Sequence, residues 1–181
     1  MVDRPTIRVR PADLSDSTLL AEIGERTFRD TFAAANTPED MTDYLSSAFG
    51  APIQARELKD PGNMFLIAEV IGEAVGYARL RSGSAPPDIR GARPLEIVRF
   101  YSVQEWIGRG VGAALMQACL ELALDKGHDT IWLDVWERNS RAIAFYGKWG
   151  FEVVGNQPFQ LGQDTQNDFL LARPIRSSSE E

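Results

Sequence analysis

The sequence predicts an α/β fold in a single domain, and three observations carry that reading. Strand-like runs at residues 95–103 and 130–136 are joined through a helix of amphipathic spacing, which is the pattern of a βαβ unit with parallel pairing and a right-handed crossover. Two further β-rich runs, 64–70 and 74–82, meet at a short glycine-containing turn and read as a hairpin. At 181 residues, 44% hydrophobic and 25% charged, the chain suits one sizeable core, and no internal repeat or second domain divides it. The domain is expected over residues 1–176, with 177–181 as a disordered tail.

Residues 6–10 (TIRVR) alternate apolar and polar side chains and predict a first strand, ended by Pro11, which has no N–H for a ladder. From 15 to 32, Leu19, Ile23, Phe28 and Phe32 recur at helical spacing, with Ser15 or Asp16 as cap. Pro38 after Thr37 opens a second helix reaching Phe49, with Met41, Tyr44, Leu45 and Ala48 along one stripe. A third, shorter helix is expected over 51–59. Residues 82–94 (SGSAPPDIRGARP) have no apolar period and are rich in Pro, Gly and Arg, the pattern of a mobile loop placed to border a site. Val111, Leu115, Ala118 and Leu122 keep a helical stripe up to Gly127, a natural C-terminal cap. A short helix over 139–149 stops at Gly150, and 151–154 and 168–172 supply the last strands. The acidic stretch 163–168 reads as a turn, although acids there also suit a polycation.

Composition excludes several classes. A net charge of −7 argues against a general nucleic-acid binder, which shows a basic stripe, and mildly favours cationic small substrates. The lone Cys119 falls inside a predicted helix, so no internal disulfide forms and a buried, inert thiol is expected, as in a reducing compartment. No charged-then-apolar leader opens the chain and no apolar run is long enough to span a bilayer, so a cytoplasmic protein without a membrane partner is expected. His128, the only histidine, follows Gly127 at a helix end; with no second His or Cys cluster, no metal site is predicted, and no nucleophile-elbow sequence supports a hydrolase built on it. Trp132, Trp136 and Trp149 read as packing residues.

The most informative stretch is the turn that delivers Gly108, Gly110 and Gly112 to the start of a helix. A helix N-terminus gathers unpaired N–H groups and the positive end of the helix dipole, and glycines let the backbone approach a phosphate closely. Three chemistries compete for it. A nucleotide P-loop needs Lys and then Ser or Thr after its last glycine, whereas Gly112 is followed by Ala113 and Ala114. A dinucleotide-binding turn matches the spacing of Gly108, Gly110 and Ala113, but Gln104, Glu105 and Trp106 separate the turn from a strand that itself carries Glu96 and Arg99.

The third reading draws on a resemblance. IGRGVGAALM after a strand, followed by WLDVWERNSRAIAFYGKWGF, resembles the core of the GCN5-related N-acetyltransferase family. The N-terminal helices, the LEIVRFY strand and the closing LGQDTQNDFLLARP further resemble its bacterial polyamine (spermidine/spermine) acetyltransferase branch. The resemblance implies a mixed central β-sheet flanked by helices and splayed between its fourth and fifth strands, here 95–103 and 130–136, with acetyl-CoA wedged into the split. The phosphate cradle would be Ile107, Gly108, Arg109, Gly110, Val111, Gly112 and Ala113. The family's loop usually begins with Gln or Arg; Ile107 removes that side-chain donor, leaving main-chain N–H groups and Arg109.

The same resemblance assigns roles. Tyr146, in N-x-x-A-x-x-F-Y, matches the general acid that protonates the leaving thiolate, a task that suits a phenol protonated at neutral pH; otherwise it is a packing residue beside Phe145. Asn139 and Ala142 match CoA-contacting positions, and Asn139 equally suits a helix cap. Phe100, Tyr101 and Ser102 would offer backbone groups to the pantetheine arm, because a splayed strand has unused N–H and C=O groups, and one such N–H would polarise the thioester carbonyl. Glu96 matches a position that serves relatives as general base; the bland alternative is an ion pair, with Arg99 its candidate partner. The implied activity is transfer of acetyl from acetyl-CoA to a small polyamine such as spermidine, by direct attack in a ternary complex and without metal. A protein or peptide amine, or a non-catalytic acyl-CoA sensor, are the alternatives, and a homodimer is left open.

Overall fold

The computed structural model describes residues 5–175, so the tail expected at 177–181 lies outside the described residues. Seven strands form one sheet in the order β1-β2-β3-β4-β5-β7-β6. They are β1 (Ile7–Pro11), β2 (Asn63–Val70), β3 (Glu73–Ser82), β4 (Pro94–Ser102), β5 (Thr130–Trp136), β6 (Glu152–Leu161) and β7 (Asp164–Pro174). Only β4 and β5 pair in parallel; every other neighbouring pair is antiparallel. The helices are α1 (Ser17–Phe32), α2 (Pro38–Ala48), α3 (Ala51–Lys59), α4 (Val111–Asp125) and α5 (Ser140–Lys148).

Local chemistry accounts for most of the boundaries. Thr37 caps α2 by accepting the N–H of Asp40, and Pro38 occupies the first turn, where its missing N–H costs nothing. The start of α1 differs from expectation. Neither Ser15 nor Asp16 caps it; Asp13 instead caps a single 3-10 turn at Leu14–Asp16, and Asp16 answers with the reciprocal bond of a capping box before α1 begins. Pro11 is tolerated within β1 because that strand stands at the sheet's edge, where an N–H is dispensable.

The sheet is covered on both faces. Gly76 on β3 admits α4 so closely that a Cβ there would sit 3.0 Å from Val111, and the wholly buried Val111, Leu115, Met116, Cys119 and Ala123 seal that face. On the other face Phe28, Met41, Leu45 and Phe49, from α1, α2 and the segment after α2, pack with Leu161 of β6. Arg79 and Arg99 also point to the helices of this face, where Glu57 of α3 accepts from both at 2.6 Å.

Two further expectations are corrected. The closing strands are longer than read: β6 and β7 form a continuous hairpin turning at Gly162 and Gln163, so most of the acidic stretch at 163–168 is strand. Gly155, Pro158 and the scarcity of apolar residues after Val154 hid the pattern, because nearly all of β6 is exposed or half-buried. The loop after β3 is anchored, since Ile89 is buried against Trp132 and Leu170 and the Asp129 carboxylate accepts the N–H groups of Ala92 (2.8 Å) and Arg93 (3.1 Å).

Candidate active site

The parallel ladder between β4 and β5 stops after three pairs, the last being Glu96 with Trp132. Beyond it the strands part, and residues 97–102 of β4 and 133–136 of β5 line a cleft of about 620 Å³. A bulge assists the parting: Leu80 pairs with Ile97 and Arg79 with Arg99, so Val98 has no opposite residue on β3 and β4 bends away there. Backbone groups of β4 past Glu96 have no partner on β5, and an extended ligand arm can take them.

At one end of the cleft stands the glycine turn. Gly108 (φ 77°) and Gly110 (φ 96°) lie in the left-handed region, which a side chain would strain. Gly110 is the N-cap of α4 and has no side chain to accept from it, so the N–H groups of Val111, Gly112 and Ala113 are uncapped where Gly108, Gly110 and Ala113 line the cleft. A Cβ on Gly112 would come within 3.3 Å of the Phe145 ring, so the α4 start and α5 stand side by side. This donor set, with the unpaired edge of β4, fits a diphosphate followed by an amide-bearing arm, as in CoA. Arg109 keeps its guanidinium over the Trp106 ring at 5.6 Å.

Most of the expected contact residues gather here: Phe100, Tyr101, Ser102, Ile107, Gly108, Gly110, Gly112, Ala113, Asn139, Ala142 and Tyr146 all line the cleft. Val111 contributes no side chain, because it is wholly buried beneath the turn, and Arg109 is not part of the wall. Asn139 does cap α5, its Oδ1 accepting the Ala142 N–H at 3.2 Å. Tyr146, on α5, is 8% exposed and stands edge-on to Phe100, Phe145 and Phe151. Burial pushes its pKa well above the ordinary phenol value, so it holds its proton.

Glu96 does not join them. It precedes the split, is absent from the cleft wall, and its Oε2 accepts from Arg81 Nε (2.9 Å) and Nη2 (2.6 Å). Nor is Arg99 its partner: Arg99 binds Glu57, Gln54 and the carbonyl of Ala48.

The other end of the cleft is aromatic and acidic. Phe28 and Phe32 of α1 (ring centroids 4.4 Å apart), Tyr44 of α2 (4.5 Å from Phe28), Trp136 of β5 (5.9 Å from Phe32) and Phe159 of β6 (5.5 Å from Tyr44) form its walls. Two carboxylates stand among them. Asp168 pairs with Trp136 across the β5–β7 ladder and Asp134 with Leu170, so the two acids share one face at diagonal positions. Gln157 Nε2 donates to Asp134 Oδ2 at 2.8 Å. Asp168 is 6% exposed, and its Oδ1 has no hydrogen-bond partner among the described residues. Burial, then the charges of Asp134 and Glu137, push its pKa up to about 7.

Neither acid was singled out from sequence as a site residue. Asp134 was discoverable as the one charge in the otherwise apolar run TIWLDVW, and Asp168 as the acid opening DFLLA. Among the described residues no cluster of His, Cys, Asp and Glu can hold a metal, and no helix is long and apolar enough to cross a membrane.

This architecture is that of an acyl-CoA-dependent N-acetyltransferase. The acetyltransferase (GNAT) family profile matches residues 25–151, and the chain belongs to that family. An uncharacterized N-acetyltransferase from the pepI 3′ region of Lactobacillus delbrueckii subsp. lactis is 34% identical over 153 residues, covering 84% of this chain and 88% of the relative. An uncharacterized N-acetyltransferase of Mycobacterium tuberculosis is 33% identical over 162 residues, 90% of this chain and 99% of its own. Among solved structures, the PaiA N-acetyltransferase of Thermoplasma acidophilum in complex with coenzyme A superposes with a TM-score of 0.75 at 20% identity, over 93% of this chain and 99% of the other.

Proposed function

We propose that the enzyme transfers acetyl from acetyl-CoA to a small cationic amine, spermidine being the representative acceptor, by direct attack in a ternary complex. The observation that carries the acceptor class is the pair of carboxylates, Asp134 and Asp168, inside an aromatic-walled pocket continuous with the glycine turn. Aromatic faces and buried carboxylates both stabilise an ammonium group, whereas an anionic acceptor would meet repulsion from both acids.

Within this reading the α4 N-terminus holds the diphosphate of the co-substrate and the unpaired edge of β4 orients the thioester, an N–H of residues 100–102 polarising its carbonyl. Tyr146 protonates the departing thiolate. Glu96 has no part, its carboxylate being bound by Arg81 outside the cleft. A cytoplasmic setting accords with a lone, fully buried Cys119 whose pKa is pushed up to about 12 by burial and which is therefore inert.

The test is CoA-thiol release from acetyl-CoA with spermidine, spermine, monoamines, amino acids and peptides bearing free N-termini, with Tyr146→Phe as control. Turnover with the small amines that falls about 10²- to 10⁴-fold in Tyr146→Phe is the expected result, with acetyl-CoA affinity unchanged. Turnover confined to peptides would replace the acceptor class. Tight acetyl-CoA binding with no turnover on any amine would make the protein a sensor.

A further inference from the structure

A primary amine at neutral pH is an ammonium ion, and it has no lone pair until a proton is taken from it. The position expected to take that proton, Glu96, is outside the cleft and held by Arg81. Among the carboxylates that do line the cleft, Asp134 is already engaged by Gln157. Asp168 is the one with a buried oxygen that nothing among the described residues satisfies. Leaving such an atom unpaired in a folded protein destabilises it, so its persistence on a side chain that lines the cleft points to a carboxyl kept for the substrate rather than for the fold.

We propose that Asp168 is the general base of the reaction, taking the proton from the acceptor ammonium. The inference rests on the reading that the acceptor is an amine. The Asp168 carboxylate accepts one proton from R–NH3⁺. The nitrogen lone pair then forms the C–N bond to the thioester carbonyl carbon, the C–S bond breaks, and the sulfur takes the Tyr146 phenolic proton. The second proton lost from nitrogen restores the tyrosine through solvent, and Asp168 discharges its own to water, so one proton is released per turnover.

The surroundings suit that task from every side. On β5, Asp134 lies diagonally across and Trp136 directly opposite; Glu137 follows at the strand's end; Gln157 is opposite on β6. Tyr44 of α2 is near enough that its own pKa is raised in part by Asp168. Arg99, Arg141 and Lys148 line other parts of the cleft, and none of them satisfies Asp168 Oδ1. Negative neighbours and burial together hold the carboxyl near pH 7, where a base both carries charge and accepts a proton readily.

The experiment compares wild type with Asp168→Asn, using spermidine as acceptor across about pH 6–10, and measures kcat/KM for the amine, the acetyl-CoA dissociation constant and the urea midpoint of the free protein. At neutral pH the variant should lose about 10²- to 10⁴-fold in kcat/KM with acetyl-CoA affinity unchanged. Its deficit should shrink by about tenfold per pH unit above neutrality, because the free amine it then depends on grows tenfold per unit below the amine pKa of about 10.

The urea midpoint supplies a readout independent of turnover. A carboxyl whose folded pKa lies above its unfolded value stabilises the fold below that unfolded value and loses this contribution as pH rises through about 7. Asp168→Asn should therefore gain stability over wild type on going from about pH 5 to pH 8. A deficit in kcat/KM that is the same at every pH overturns the proposal, as does an undiminished rate. Should no amine be turned over by wild type, the proposed acceptor class fails; a midpoint difference that does not change with pH removes the ground for Asp168 separately.

Discussion

The two ends of the cleft are assembled in opposite ways. The end proposed for the co-substrate comes from one nearly contiguous stretch, the free edge of β4, the glycine turn, the start of α4 and the face of α5. The acceptor end is collected from α1, α2, β5, β6 and β7, and it closes through contacts such as Asn36 with Gln166 (2.6 Å) and Asp40 with the N–H of Gln163 (2.6 Å), which lie 130 and 123 residues apart. The first end is fixed by backbone geometry, and the second by which side chains the tertiary fold brings together. On the proposed function, substitutions in the aromatic wall of the second end change the acceptor while the transfer chemistry, Asp168 aside, is retained.

The contrast can be broken most severely from beneath. Glu57 of α3 holds Arg79 and Arg99 together, and both guanidinium-bearing side chains are buried, Arg99 also lining the cleft. Glu57→Ala strands two charges, and we expect a loss of about 3–5 kcal/mol in urea denaturation, against under about 1 kcal/mol for a surface pair. A loss in the surface range would show that the pair contributes little to the fold.

Smaller and more selective is Gly110→Ala, which forces a side chain into left-handed backbone at φ 96°. At about 1–2 kcal/mol the strain should weaken acetyl-CoA binding about tenfold by calorimetry, with KM for the amine unchanged at saturating acetyl-CoA. A shift in the amine KM instead would mean that the two ends are coupled.

The smallest effect sharpens the comparison. The Tyr77 hydroxyl is, with Asp168 Oδ1, one of the two fully buried side-chain polar atoms without a partner among the described residues. It is sealed in the core beside Gly24, away from the cleft wall. Tyr77→Phe should therefore raise stability by about 1 kcal/mol in urea denaturation and leave turnover as it was. The Tyr77 hydroxyl, walled in by the core, is a packing cost, whereas the Asp168 oxygen belongs to a side chain that lines the cleft.

The same division governs what could be read from the sequence. The βαβ unit, the hairpin and the glycine turn depend on residues within a few turns of one another, so periodicity and spacing reveal them. Even the split was implied by the family resemblance, and it appears as a ladder that ends at Glu96. The ion-pair partner of Glu96 was missed because position along a strand says which ladder a residue joins but not who else reaches its carboxylate; Arg81, opposite on β3, decided that. Asp168 was hidden because its neighbours, Trp136 and Gln157, come from strands that only the finished sheet sets beside it. The full length of β6 and β7 was missed for a related reason: an edge hairpin with one exposed side carries too few apolar residues to announce itself.

The uncapped start of α4 has a consequence for control of the enzyme. In the binding mode proposed above its N–H groups hold the diphosphate, the part of the co-substrate that is identical before and after transfer, so affinity invested there cannot tell acetyl-CoA from spent CoA. Spent CoA should therefore remain a close competitor. Flux through the enzyme then follows the ratio of charged to uncharged carrier in its surroundings, slowing when the acetyl supply runs down even while the amine is abundant.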